Sequence, residues 1–157
     1  MSTDLYDRVQ ELRARYPAGS RSAVLPALRL AQEQYGYLSD TAIREVADAM
    51  DLTPSYCHAV ASFYDMFHLA PIGRHLVEIC TNLSCALVGV QRVVEAFEEE
   101  LGVRAGETTG DGRVTFRAVE CLGACGYAPV VVVDGRYRQG VRIEDVPGIA
   151  KELGART

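Results

Sequence analysis

Residues 120–129 read Glu-Cys-Leu-Gly-Ala-Cys-Gly-Tyr-Ala-Pro. Cys121 and Cys125 in this stretch form a C-x3-C pair, and Cys80-Thr-Asn-Leu-Ser-Cys85 forms a second pair with the spacing C-x4-C. Each pair follows a run of apolar and β-branched residues that is typical of a β-strand. Loops that follow strands can converge at one edge of a sheet. The sequence therefore predicts that the four thiols share one site.

Four thiolates suit either a tetrahedral zinc ion or an iron–sulfur cluster. Structural zinc sites usually use tight C-x2-C knuckles on segments that are too small to fold alone, whereas the domain here can fold around an apolar core. A two-iron cluster needs a wider cage, which these longer spacings and the nearby Gly123 and Gly126 suit. The spacing therefore favours iron–sulfur and leaves zinc open. Thioredoxin-type disulfide chemistry uses C-x-x-C, a spacing that neither pair has.

The charges close to the four cysteines along the chain bear on the reduction potential. Glu78 and Glu120 are acidic neighbours, and no Lys or Arg lies within three residues of any of the four thiols. A cluster held by four thiolates becomes more negative when it is reduced, and carboxylates nearby make that step less favourable. We therefore expect a low reduction potential. The fifth cysteine, Cys57, is expected to be a small buried apolar residue.

The first part of the chain is predicted to be helical, because apolar residues recur there at helical spacing between capping and terminating residues. The predicted helices cover residues 3–15, 22–35, 40–50 and 54 towards 67. The segment Pro71-Ile72-Gly73 is typical of a linker. The sequence therefore predicts a helical N-terminal region, residues 1–72, followed by a second domain, residues 73–157.

The second domain alternates between strand and helix patterns. Strands are predicted at residues 75–79, 114–119, 129–133 and 136–138, and helices at residues 83–101 and 143–153. Asp134-Gly135 is a strong two-residue hairpin signal, and residues 106–112 form a turn-rich loop. This order predicts an α+β fold, in which a small mixed sheet is flanked by helices.

Composition and charge exclude several kinds of protein. The 157 residues carry a formal charge of −5, with 16 basic and 21 acidic residues, which argues against nucleic acid as the main partner. The longest apolar run, Ala128–Val133, is far too short to span a membrane, and the first residues show no signal-peptide pattern. We therefore expect a cytoplasmic protein with no direct membrane insertion.

The sequence disfavours two other functions. Residues 45–55 resemble a helix-turn-helix, but the following helix, residues 54–67, has no Arg or Lys to contact phosphates or guanine. The chain also has no G-x-G-x-x-G after a strand, no P-loop and no array of hydrolytic side chains. We therefore expect an electron carrier without a complete active site.

The chain resembles a known family along nearly its whole length. The matching segments are Arg21-Ser-Ala-Val-Leu-Pro26, Val60-Ala-Ser-Phe-Tyr64, Cys80-Thr-Asn-Leu-Ser-Cys85, Gly106-Glu-Thr-Thr-Gly110 and residues 120–129. They resemble the thioredoxin-like [2Fe–2S] ferredoxin family, to which the E subunit of bacterial NADH–quinone oxidoreductase (complex I) belongs. The same family includes the gamma subunits of NAD-dependent formate dehydrogenases and equivalents in NAD-reducing hydrogenases.

The resemblance implies a helical region followed by a thioredoxin-like domain with one [2Fe–2S] cluster on Cys80, Cys85, Cys121 and Cys125. It also implies docking against the subunit that binds NADH and FMN, beside other iron–sulfur subunits, in a complex peripheral to the cytoplasmic side of the membrane. In that family the cluster lies near the flavin but off the main chain of clusters that leads to quinone, and its proposed role is a temporary electron store.

The resemblance leaves the parent complex open. Residues 80–85 and 120–129 favour complex I over a formate dehydrogenase or a hydrogenase. A zinc-binding structural module or a DNA-binding module is the alternative from another class. The aromatic residues Tyr35, Tyr37, Phe63 and Phe67 are expected to lie either at an interface or in the core.

Overall fold

The computed structural model describes residues 3–154, and the chain divides into two compact units between Pro71 and Ile72. The N-terminal unit contains helices α1 (Thr3–Arg13), α2 (Val24–Tyr35), α3 (Asp40–Met50) and α4 (Pro54–Phe63), with a short 3-10 helix, Arg21–Ala23, before α2. Side-chain caps set two of the helix starts, since the hydroxyl oxygens of Ser39 and Thr53 accept backbone N–H groups of the first turn of α3 and α4.

Helix α4 ends earlier than its apolar pattern predicts. The backbone is already extended at Tyr64 (φ −103°, ψ 122°), so the predicted continuation towards Phe67 is wrong. The side chain of Gln32 holds the segment that follows, because its amide donates to the Met66 carbonyl at 2.9 Å and accepts the His68 N–H at 2.7 Å. Phe67 is thereby buried in the core of this unit (6 % exposed), whereas Phe63 is 78 % exposed.

Within residues 72–154, the C-terminal unit contains four strands and three α-helices. These are β1 (His75–Cys80), α5 (Leu83–Leu87), α6 (Val90–Leu101), β2 (Val114–Val119), β3 (Val130–Val133), β4 (Arg136–Gln139) and α7 (Val146–Glu152). The strands form one mixed sheet in the order β2-β1-β3-β4, in which β1 pairs parallel with β2 and antiparallel with β3. The predicted α+β class is therefore confirmed.

Apolar side chains from the sheet and from α6 and α7 form the core of this unit. Phe97 on α6 stacks on Phe116 of β2 with 5.7 Å between the ring centroids, and neither ring is exposed to solvent. Val77 and Ile79 of β1 and Val131 of β3 belong to the same buried cluster. Because β1 lies in the middle of this core, its C-terminal end is held in a fixed place.

The helix predicted for residues 83–101 is divided into α5 and α6. Gly89 between them adopts a left-handed conformation (φ 82°), which glycine tolerates and which ends a helix. The N–H of Gly89 donates to the Ala86 carbonyl and closes α5. As a result α5 is only five residues long and forms a separate turn directly after β1.

The two outer strands of the sheet differ in how far their edges are covered. The turn-rich loop covers β2, because the N–H of Gly106 donates to the Phe116 carbonyl and the N–H of Phe116 donates to the Glu107 carbonyl. At the other edge, β4 follows the predicted hairpin at Asp134-Gly135, which is confirmed by positive φ angles at both residues. All four residues of β4, Arg-Tyr-Arg-Gln, are exposed.

None of the helices within residues 3–154 combines the length and apolar character that a membrane crossing requires.

We predict that Phe97→Ala lowers the free energy of unfolding by about 3–5 kcal/mol, because it removes a fully buried ring from the core. Leu87→Ala in the same unit is the control, since Leu87 is 78 % exposed and an exposed change stays within about 0.5 kcal/mol. Urea unfolding followed by far-UV circular dichroism measures both variants. Equal losses in the two variants would contradict the assigned core.

Candidate iron–sulfur site

The two cysteine-bearing segments leave the sheet at the same edge. Strands β1 and β2 run parallel with Cys80 opposite Val119, so both chains emerge side by side at their C-terminal ends. The N–H of Thr81 donates to the Val119 carbonyl at 2.9 Å, and the Cys80 thiol donates to the Glu120 carbonyl with an S···O distance of 3.7 Å. The segment after β1 therefore contacts the segment after β2.

The first cysteine pair is buried. Cys80 is the last residue of β1 and is 4 % exposed, and Cys85 lies in the first turn of α5 and is 1 % exposed. The side chain of Asn82 caps α5 by accepting the Leu83 N–H at 2.7 Å. This tight turn between strand and helix brings two thiols that are five positions apart close enough to affect each other's pKa.

Hydrogen bonds and burial act in opposite directions on these two thiols. Burial raises the pKa of Cys80, but backbone N–H groups of Asn82 and Leu122 point at its sulfur. Together with the Cys85 thiol they outweigh burial, so the pKa of Cys80 lies below its ordinary value. Burial raises the pKa of Cys85, and the neighbouring Cys80 and Cys125 raise it further. Cys125 of the second pair is therefore near enough to Cys85 to affect its pKa.

The second pair is exposed to solvent. Cys121 and Cys125 are both exposed, and none of the cysteines forms a disulfide. The backbone N–H of Gly123 donates to the Cys121 sulfur with an N···S distance of 3.3 Å. Gly123 has a φ of 70°, a conformation that glycine adopts readily. This glycine therefore lets the loop curl back so that a backbone donor faces a thiol.

Within residues 3–154, no three His, Cys, Asp or Glu side chains are already gathered closely enough to hold a metal ion. The four predicted thiols nevertheless lie on segments that leave the same edge of the sheet, Cys80 and Cys85 as a buried pair and Cys121 and Cys125 as an exposed pair. Cys57 lies elsewhere, fully buried on α4 in the core of the N-terminal unit. The expectation that Cys57 is a buried apolar residue is confirmed.

Two residues near the thiols were not found from the sequence. Tyr137 on β4 donates its hydroxyl to the Leu122 carbonyl at 2.8 Å. Arg117 on β2 lies opposite Glu78 on β1, with 2.7 Å between a guanidinium nitrogen and a carboxylate oxygen. Counting charges along the chain missed this pair, because the arginine comes from another strand. One of the two acidic neighbours is therefore offset, and the low reduction potential stays a prediction.

The donor set fits a [2Fe–2S] cluster. Four sulfur atoms come from two loops at one edge of the sheet, and backbone N–H groups face the sulfurs of Cys80 and Cys121. Such N–H groups stabilise the negative charge of thiolate ligands. This fold and this site define a small iron–sulfur protein.

The family comparison agrees with that class. The family model described as thioredoxin-like [2Fe–2S] ferredoxin matches residues 9–154. The chain belongs to the thioredoxin-like [2Fe–2S] ferredoxin family.

Curated relatives cover most of the chain. It is 42 % identical over 131 residues to the E 2 subunit of NADH-quinone oxidoreductase from Rhizobium meliloti, covering 83 % of this chain and 77 % of the relative. It is 44 % identical over 144 residues to the E subunit of NADH-quinone oxidoreductase from Mycobacterium tuberculosis, covering 92 % of this chain and 55 % of the relative. The chain therefore spans about half the length of its mycobacterial relatives.

A solved structure shares the fold. A chain in the crystal structure of the air-oxidised NAD+-reducing [NiFe]-hydrogenase matches with a TM-score of 0.76 and 22 % sequence identity. The match covers 87 % of this chain and 24 % of the hydrogenase chain. At this identity the likeness shows the fold.

In the folded chain without metal, we predict that iodoacetamide labels Cys121 and Cys125 at least about tenfold faster than Cys57. The first two thiols are exposed, whereas Cys57 is buried and its burial raises its pKa, which lowers the reactive thiolate fraction at any given pH. Peptide mapping by mass spectrometry measures the rates. Labelling in urea, where all thiols are accessible, is the control. A Cys57 rate equal to that of Cys121 in the folded chain would refute the assigned burial.

Proposed function

We propose that this chain is the electron-transfer subunit of an NADH–quinone oxidoreductase and holds one [2Fe–2S] cluster on Cys80, Cys85, Cys121 and Cys125. The observation that carries the proposal is that the segments bearing these thiols leave the sheet side by side at the C-terminal ends of the parallel strands β1 and β2. The relatives named as E subunits of that complex, at 42–44 % identity, support it. When bound, such a cluster accepts and releases one electron at a time.

The two cysteine pairs have different roles in holding the cluster. Cys80 and Cys85 supply buried sulfurs fixed by the sheet and by α5, and Cys121 and Cys125 supply sulfurs on the solvent side. Backbone N–H groups stabilise the negative charge on Cys80 and Cys121. The exposed pair leaves a short path between the site and a redox partner docked on that side.

The proposed partners are the flavin- and NADH-binding subunit of the same complex and its other iron–sulfur subunits. This chain has the features of an electron carrier, so NADH oxidation belongs to the flavin subunit, where FMN is expected. Residues 73–157 form the cluster domain in this proposal, and residues 1–72 contribute a docking surface. The exposed apolar side chains of Phe63 and Met66 support that role. The complex would hold the chain on the cytoplasmic side of the membrane.

An alternative parent complex is an NAD-dependent formate dehydrogenase or an NAD-reducing hydrogenase, in which the chain would carry the same cluster. The fold likeness to the hydrogenase chain keeps this alternative in view. The named relatives favour NADH–quinone oxidoreductase.

We predict that Cys→Ser at each of residues 80, 85, 121 and 125 abolishes or alters the [2Fe–2S] signal, because serine replaces a thiolate ligand by a harder oxygen donor. Electron paramagnetic resonance of the anaerobically purified, dithionite-reduced chain measures the signal, with iron and sulfide analysis beside it. Cys57→Ser is the matched control and should keep wild-type iron, sulfide and spectrum, since Cys57 lies in the core of the N-terminal unit. A colourless wild-type protein that contains zinc would sink the proposal.

Affinity purification of the tagged chain from its native cells tests the parent complex. We expect it to retain FMN, NADH dehydrogenase activity and membrane subunits that reduce quinone. Retention of a molybdenum or a nickel subunit in their place would indicate that the chain belongs to a formate dehydrogenase or a hydrogenase. Purification of the chain alone from gently lysed cells would contradict a subunit role.

A further inference from the structure

We propose that Tyr137 is a positioning residue that orients the Leu122–Gly123 peptide so that the Gly123 N–H donates to the Cys121 sulfur and raises the reduction potential of the site. This inference rests on the proposed ligand set.

One peptide unit connects the tyrosine to the thiol. Its carbonyl, which belongs to Leu122, accepts the Tyr137 hydroxyl at 2.8 Å. Its N–H, which belongs to Gly123, donates to the Cys121 sulfur at an N···S distance of 3.3 Å. This peptide unit is trans, so its carbonyl and N–H point in opposite directions. The Tyr137 hydroxyl therefore contacts the carbonyl of this peptide, and the Cys121 sulfur contacts its N–H on the opposite side.

The loop needs such a tether because glycine does not restrict this plane. Gly123 has a φ of 70°, and a Cβ built on it would meet no atom within 4 Å. A glycine in open space can adopt several backbone conformations at similar free energy. Rotation of the plane would turn the N–H away from the sulfur of Cys121. The hydrogen bond from Tyr137 opposes that rotation.

Tyr137 lies on strand β4, which is held by pairing within the sheet. It lies in β4 opposite Val132 of β3, and Val132 is buried. Just beyond β4, the N–H of Gly140 donates to the Tyr127 carbonyl at 2.9 Å. Strand β4 is therefore joined both to the sheet and to the end of the cysteine loop, which gives the hydroxyl a fixed position relative to Leu122.

The expected consequence is electrostatic. An N–H that faces a ligand sulfur stabilises the more negative, reduced state more than the oxidised state, so it raises the potential. The hydroxyl also polarises the peptide and strengthens its N–H as a donor. The net strength of one hydrogen bond corresponds to roughly a two- to tenfold change in an equilibrium constant.

The test is Tyr137→Phe in the full chain with its cluster, because this change removes only the hydroxyl. We expect the equilibrium constant for one-electron reduction to fall by about two- to tenfold, the upper figure being ~59 mV, with the cluster content unchanged. The potential is measured by a redox titration followed by electron paramagnetic resonance. Tyr127→Phe is the matched control, since Tyr127 is an exposed tyrosine of the same loop region, and it should leave the potential unchanged.

Resonance Raman spectroscopy in H2O and D2O gives a second readout. Iron–thiolate stretching bands of the wild type should shift on deuteration because an exchangeable N–H faces the sulfur, and the shift should be smaller in Tyr137→Phe. An unchanged potential in Tyr137→Phe, or an equal fall in Tyr127→Phe, would overturn the inference. Failure of Tyr137→Phe to keep a cluster would also overturn the inference, because a positioning residue should change the potential and leave the cluster content unchanged.

These outcomes are separable from failure of the proposed function. A wild-type chain without any [2Fe–2S] signal would remove the proposed function itself. A normal wild-type signal with an unaltered potential in Tyr137→Phe would remove only the role of Tyr137.

Discussion

The parallel pairing of β1 with β2 is the constraint on which the site depends. Cys80 ends one strand opposite Val119, two residues before Cys121 in the other. Because the two strands run in the same direction, their chains must leave the sheet at the same edge, and segments whose thiols are 41 positions apart in the sequence are brought side by side. Phe116 of β2 stacks on Phe97 of α6, and this packing helps to hold β2 in place.

Much of the fold could be predicted because its signals are local. Asp134-Gly135 forms the expected hairpin, and Ser39 and Thr53 cap helices as their positions indicate. One of the two errors occurs where a non-local contact decides. Gln32 binds the backbone near Met66 and draws the chain out of a helix that its own apolar pattern would continue. The division at Gly89 had a local signal in the sequence, because a glycine inside a helical pattern permits a left-handed break.

The residues of the candidate site also fall into those that the sequence indicates and those that only the fold brings together. The four cysteines stand out in the sequence because their spacing is unusual, and family resemblance adds to that signal. Arg117 and Tyr137 carry no such signal, since each acts on a residue brought close by strand pairing. Arg117 reaches Glu78 across the β1–β2 ladder, and Tyr137 reaches Leu122 from the far side of the sheet. The ligand types were therefore predictable, whereas the groups that adjust their electrostatics had to be read from the structure.

The two edge strands of the sheet, β2 and β4, bear on how this unit can assemble with other proteins. The turn-rich loop occupies the outer hydrogen-bonding groups of β2, and β4 places Arg136 and Arg138 along the other border. Charged residues on an outer strand discourage another chain from adding to it. Within residues 3–154, the covered edge of β2 and the charges on β4 thus disfavour extension of the four-stranded sheet by a foreign strand. Association through side chains and loop surfaces is therefore favoured, and the shape and chemistry of such surfaces can distinguish one partner from another in a way that backbone pairing cannot.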